Sequence, residues 1–204
     1  MIADEVLSQF QEWHLATALA HAEVAHLWST VAVHLVPRHE TPQTLSEIFE
    51  TSGTPPLAAE PPFLLEDAKR FGLADDHFRA TFWGLRPDFR IDAGDMLILL
   101  EAKGRSAPVG TWTDPKERLY YRFLAEANVA KKGLFYIVPR SSETACSRCV
   151  SQHFQTHPEV QVGYVLWEDL LPAMAPELLL VAVDEMVRVT DGLRSLRQWQ
   201  REQT

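Results

Sequence analysis

The chain has 204 residues, 46% of them hydrophobic and 23% charged, and a net charge of −9. That profile suits one globular domain, or one domain plus a small extension. No stretch approaches the roughly 18 apolar residues of a membrane span, so no membrane partner is expected.

The start, MIADEVLSQF, has no basic region ahead of an apolar run, so no signal peptide is expected either. Cys146 and Cys149 are the only cysteines. They make no disulfide framework and suit a reducing, cytoplasmic setting. The charge is uneven: residues 1–66 hold nine acids and one base, whereas 103–140 hold eight bases and three acids. The acidic total therefore does not by itself exclude a nucleic-acid partner for the central stretch.

In chain order, Val6, Phe10, Trp13, Ala20, Val24, Leu27, Val31 and Leu35 recur at three- and four-residue steps. They predict a long helix over 4–36, stopped by Pro37. Thr44 to Glu50 reads as a short helix. SGTPPLAAEPP, residues 52–62, reads as a proline-rich linker. FLLEDAKRFGL, 63–73, reads as a helix ending at Gly72. HFRATFW (77–83), RPDFRIDA (86–93) and MLILLEAK (96–103) read as three meandering strands.

Residues 114–132 form a predicted helix, with Asp114 as N-cap, Pro115 at the first helical position and Glu117 completing a capping box. GLFYIVP (133–139) is a compact strand, 142–157 a helix, VQVGYVLW (160–167) a strand and 176–201 a closing helix. The expectation is an α/β fold with a mixed sheet flanked by helices. It divides into a helical N-terminal extension (1–51), a linker (52–62) and a main domain (63–204). The acidic, amphipathic first helix is the candidate surface for a homodimer or a partner subunit.

If Gly94-Asp95 is a two-residue hairpin loop, Ala93 faces Met96, Asp88 lies opposite Glu101, and Arg86 opposite Lys103. Asp88, Glu101 and Lys103 then share one face. Phe89, Ile91, Ala93, Met96, Ile98, Leu100 and Ala102 form the other. Two facing carboxylates repel at a β-carbon separation of about 5 Å. A divalent cation, a shared proton or the neighbouring bases Arg86, Arg90 and Lys103 each answer that repulsion, so a metal site and an ionic cluster both fit the pattern. Mg²⁺ takes oxygen ligands and needs only one or two carboxylates beside a substrate phosphate.

Pro87-Asp88, followed thirteen residues after the aspartate by Glu101-Ala102-Lys103, resembles the PD-(D/E)xK nuclease superfamily, and the order of elements over roughly 63–139 is similar too. The resemblance implies a restriction-endonuclease-like fold and metal-dependent hydrolysis of DNA phosphodiesters, with restriction or mobile-element defence as the setting. Asp88, Glu101 and the carbonyl of Ala102 would hold Mg²⁺, with Mn²⁺ as a substitute, and Lys103 would position water or stabilise phosphate charge. Many members add an acid from the preceding helix. Glu66 is the candidate here, with Glu23 as the alternative.

RecB-like members carry a Gln with a Tyr four places on. Glu117 and Tyr121 take that spacing here, so the glutamine is absent and likeness to that subgroup is incomplete. Arg86, Lys116, Arg118, Tyr121 and Arg122 are candidate nucleic-acid contacts. An intact nuclease fold serving as a catalytically silent binding or assembly module is the alternative function.

Other motifs point elsewhere or nowhere. His21 and His26 stand five apart, not the four of a zinc-protease helix. Glu23-x-x-His26 lacks the second copy that a di-iron bundle requires. Cys146, Cys149, His153 and His157 follow helical spacing, but a straight helix spreads 146 and 157 over about 16 Å, so a helix face is expected there. No glycine-rich phosphate loop occurs, so no nucleotide cofactor is expected.

Overall fold

The computed structural model describes residues 28–36, 43–51, 55–59, 61–103, 115–138 and 140–170. Their elements are β1 (His34–Val36), α1 (Leu45–Ile48), β2 (Leu57–Ala59), α2 (Leu65–Arg70), α3 (Asp75–Thr81), β3 (Phe89–Ala93), β4 (Met96–Ala102), α4 (Pro115–Glu126), β5 (Lys131–Val138), α5 (Glu143–Thr156), β6 (Gln161–Leu166) and α6 (Trp167–Leu170). The strands make one six-stranded sheet in the order β1-β6-β5-β4-β3-β2. β2, β3 and β4 are antiparallel neighbours, β4, β5 and β6 run parallel, and β1 closes the far edge antiparallel to β6. The class is α/β with a mixed sheet. Among the described residues, no helix is long and apolar enough to cross a membrane.

The β3–β4 hairpin sets the register on which the site depends. Gly94, at φ 63, takes the first central position of the loop, where a Gly-x turn favours glycine. Ala93 therefore pairs with Met96 and Phe89 with Leu100, as the sequence predicts. Both faces of the sheet are covered. Phe89, Ile91, Ile98, Leu100, Phe135, Ile137 and Val165 pack with Trp28, Leu45 and Phe49 on one side. Leu97, Leu99, Leu134, Tyr136, Val162 and Tyr164 pack under α2 to α5 on the other. Phe123 of α4 is central to that helical layer, with ring centroids at 4.2 Å from Phe63, 5.5 Å from Phe71 and 5.3 Å from Phe82.

Four sequence expectations are corrected. Residues 34–36 are a strand, not the end of a helix. Val31, Val33 and Leu35 are buried while the residues between them are half-buried, a period of two that the three- and four-residue reading overlooks. Gly163 admits this edge strand, since a β-carbon there would stand 2.7 Å from the carbonyl oxygen of His34. Residues 77–83 are the end of the helix Asp75–Thr81 and the turn after it, not a strand: Phe78 and Phe82, four apart, both enter the core.

The meander's first strand comes instead from the proline-rich segment, as β2 at the sheet edge. Missing proline N–H groups cost least at an edge. Trp28, Leu45, Phe49 and β1 belong to this same core and sheet. Residues 28–36 and 43–51 are therefore part of the domain rather than an extension of it. The rest of the first helix, the 104–114 segment with the Asp114 cap, and the closing helix at 176–201 lie outside the described residues.

Candidate active site

Asp88 immediately precedes β3, and Glu101 lies near the end of β4. The Ala102 peptide N–H donates to Asp88 Oδ2 at 2.7 Å, which fixes the aspartate against the neighbouring strand. Strand alternation turns Glu101 and Lys103 to the helical side and the Ala102 side chain into the opposite core. Glu101 is only 1% exposed, and Lys103 Nζ stands 3.3 Å from its Oε2. The three residues read from the sequence thus meet at one end of the hairpin.

Tyr120 of α4 joins them, a residue the sequence reading missed. Its hydroxyl donates to the Arg86 carbonyl. Burial, then the carboxylates of Glu101 and Asp88, raise its pKa far above the usual phenol value. It therefore remains a protonated donor beside two acids. Tyr121, the expected contact, points elsewhere: its hydroxyl donates to the His157 carbonyl at 2.9 Å and its ring packs 4.6 Å from that of His153. Consecutive helical residues diverge by about 100°, so of the pair only Tyr120 faces the carboxylates.

The other predicted residues are scattered. Glu66 is exposed on α2, and no described contact brings it to the hairpin carboxylates. Its neighbour Asp67 faces the sheet, where Oδ1 accepts from Arg90 at 2.6 Å while Oδ2 caps Leu64 N–H at 2.8 Å. Arg90 also donates to Asp92 at 2.6 Å and lies over the rings of Phe63 and Phe71. It serves that buried network rather than Asp88 and Glu101. Arg86 is exposed beside the site. Arg118 and Arg122 line a pocket of about 320 Å³ with Tyr121, His153 and His157. Arg122 there pairs with Glu126 at 2.7 Å. Glu23 and the side chains of Lys116 and Glu117 lie outside the described residues.

Cys146, Cys149 and His153 form part of the buried face of α5. His153 Nε2 lies 3.3 Å from the Tyr136 hydroxyl and 3.6 Å from Cys149 Sγ. Burial, helped by His157, lowers its pKa to about 4, so the imidazole is neutral near pH 7.

The hairpin donors suit a hard divalent cation. Asp88 and Glu101 offer oxygen only. The N–H and C=O of a strand residue point to the same flank, so the Ala102 carbonyl is turned toward Asp88. Among the described residues, no group of three or more His, Cys, Asp or Glu side chains is arranged to hold a metal. Two carboxylates and a carbonyl are as many protein ligands as a hard cation such as Mg²⁺ usually takes. Comparison with family models, curated proteins and solved structures returns no match to this chain.

Proposed function

We propose that the chain is a Mg²⁺-dependent nuclease of restriction-endonuclease-like fold that hydrolyses DNA phosphodiester bonds. The supporting observation is the convergence of Asp88, Glu101 and Lys103 at one end of the β3–β4 hairpin, with Glu101 buried. A hairpin needs no carboxylate at 1% exposure for its own stability; Lys103 offsets one of the two neighbouring carboxylate charges, and a metal ion would offset the other. Asp88, Glu101 and the Ala102 carbonyl would hold Mg²⁺, which polarises phosphate and lowers the pKa of bound water. Lys103 places an ammonium where charge develops on the phosphate. Tyr120, held protonated, orders the Asp88 approach through its bond to the Arg86 carbonyl.

The test is cleavage of circular and linear single- and double-stranded DNA, and of RNA, with Mg²⁺, Mn²⁺ or EDTA. We expect metal-dependent cutting of DNA that EDTA abolishes. Lys103→Ala and Asp88→Asn should each lower the rate at least about 1,000-fold. Metal-independent cutting, or full activity in either variant, would sink the proposal. No cutting with any metal would move the weight to a catalytically silent binding module.

A further inference from the structure

Two large apolar side chains of the described residues are exposed: Leu64 at 46% and Trp83 at 63%. Single exposed leucines are ordinary, but an indole standing in water is not. Its backbone is well anchored. The N–H groups of Phe82 and Trp83 both donate to the Phe78 carbonyl, at 2.8 and 3.0 Å. Gly84 then reverses the chain at φ 79, a common helix ending. Its N–H donates to the Phe63 carbonyl at 3.0 Å, while Phe63 N–H donates to the Leu85 carbonyl at 2.8 Å. Trp83 is thus presented on a fixed turn. Among the described residues, its ring stacks on no other ring and its N–H meets no acceptor.

The connection from Trp83 runs through exposed Arg86 to Asp88, a reach of no more than about 18 Å. Arg79, in the last turn of α3, is also exposed. With exposed Arg79 and Arg86 on either side of it in sequence, and only Leu64 besides it among the exposed large apolar side chains described, Trp83 is a poor match for a protein interface, which needs a wider apolar patch. It is a good match for a polyanion whose bases can stack.

We propose that Trp83, flanked by Arg86, is a base-stacking platform for single-stranded nucleic acid leading into the Asp88–Glu101–Lys103 site. The proposal rests on the nuclease reading. Stacking tolerates any base and arginine meets the phosphates, so the platform grips without reading sequence.

The experiment is fluorescence anisotropy with fluorescein-labelled oligothymidine at fixed salt in EDTA, alongside a wild-type cleavage assay with Mg²⁺. Trp83→Ala and Trp83→Leu should weaken binding about tenfold or more, whereas Trp83→Phe, which keeps a π face, should remain within about threefold. All three should melt with the wild type, because the ring is exposed. If wild type cuts and binds but Trp83→Ala and Trp83→Leu bind within twofold of it, the platform is overturned and the nuclease reading stands. Equal losses in the Leu and Phe variants would also overturn stacking as the mode of contact. If wild type neither binds nor cuts, both readings fall together.

Discussion

Two charged clusters sit two residues apart on the same face of one hairpin, and they are built differently. Around Arg90, two arginines meet two aspartates: Arg90 holds Asp67 and Asp92, and Arg70 also reaches Asp92. Burial opposes the Arg90 charge, but Asp67 and Asp92 outweigh it and raise its pKa. Around Glu101, the trio of Asp88, Glu101 and Lys103 carries two acids and one base. The first cluster is balanced and ties α2 to the sheet. The second joins the start of β3 to the end of β4, with Glu101 buried beside Lys103. Under the proposed function, Asp88 and Glu101 are the oxygen donors that would hold the cation, whereas the Arg90 cluster is structural.

Breaking the balanced cluster should cost most. Arg90→Met leaves Asp67 and Asp92 without their shared guanidinium, and chemical denaturation should register a loss of about 3–5 kcal/mol. A loss under about 1 kcal/mol would mean that the two clusters do not differ as described.

Acid provides the next largest effect, away from both clusters. His153 is buried and neutral, with its pKa lowered to about 4 from an ordinary 6.5. The unfolded chain therefore takes up a proton that the folded one resists. Stability falls as pH drops from about 6.5 toward 4, levels below that, and is unaffected above 6.5. The shift corresponds to about 3 kcal/mol at most. His153→Gln should flatten this part of the stability profile in pH-dependent melts, and an unchanged slope would show that the histidine is not responsible.

Tyr120→Phe removes the hydroxyl that bonds the Arg86 carbonyl. It should destabilise by about 1 kcal/mol and weaken Mg²⁺-dependent cutting more than it weakens the fold. Purely proportional losses would make Tyr120 a core residue only.

The smallest change belongs to Asp88→Asn without metal. Asparagine retains an oxygen for the Ala102 N–H while removing one of two facing charges. The melting temperature should hold steady or rise, in contrast with Arg90→Met. A large drop would place Asp88 in a structural ion cluster like that of Arg90.

Local signals were enough to define much of this. A glycine that begins a two-residue turn between two apolar-rich segments fixes the hairpin register and so brings Asp88 to Glu101 from nearest-neighbour information alone. The helices over Pro115–Glu126 and Glu143–Thr156 are long enough for their helical periodicity to show, and the two strands following them are short apolar runs rich in β-branched and aromatic residues.

Tertiary packing decided what short segments left open. The three residues of β2 gain strand character from the β3 neighbours they pair with, not from their own pattern. Whether Phe78 and Phe82 belong to a strand or a helix depends on the core that receives them. The rotation of α4 places Tyr120, not Tyr121, beside the carboxylates, and Arg90 chooses Asp67 across 23 residues of sequence. Register is a one-dimensional property that a turn can set. Which helix face meets which strand, and which charge meets which, follows from the burial free energy of the whole core.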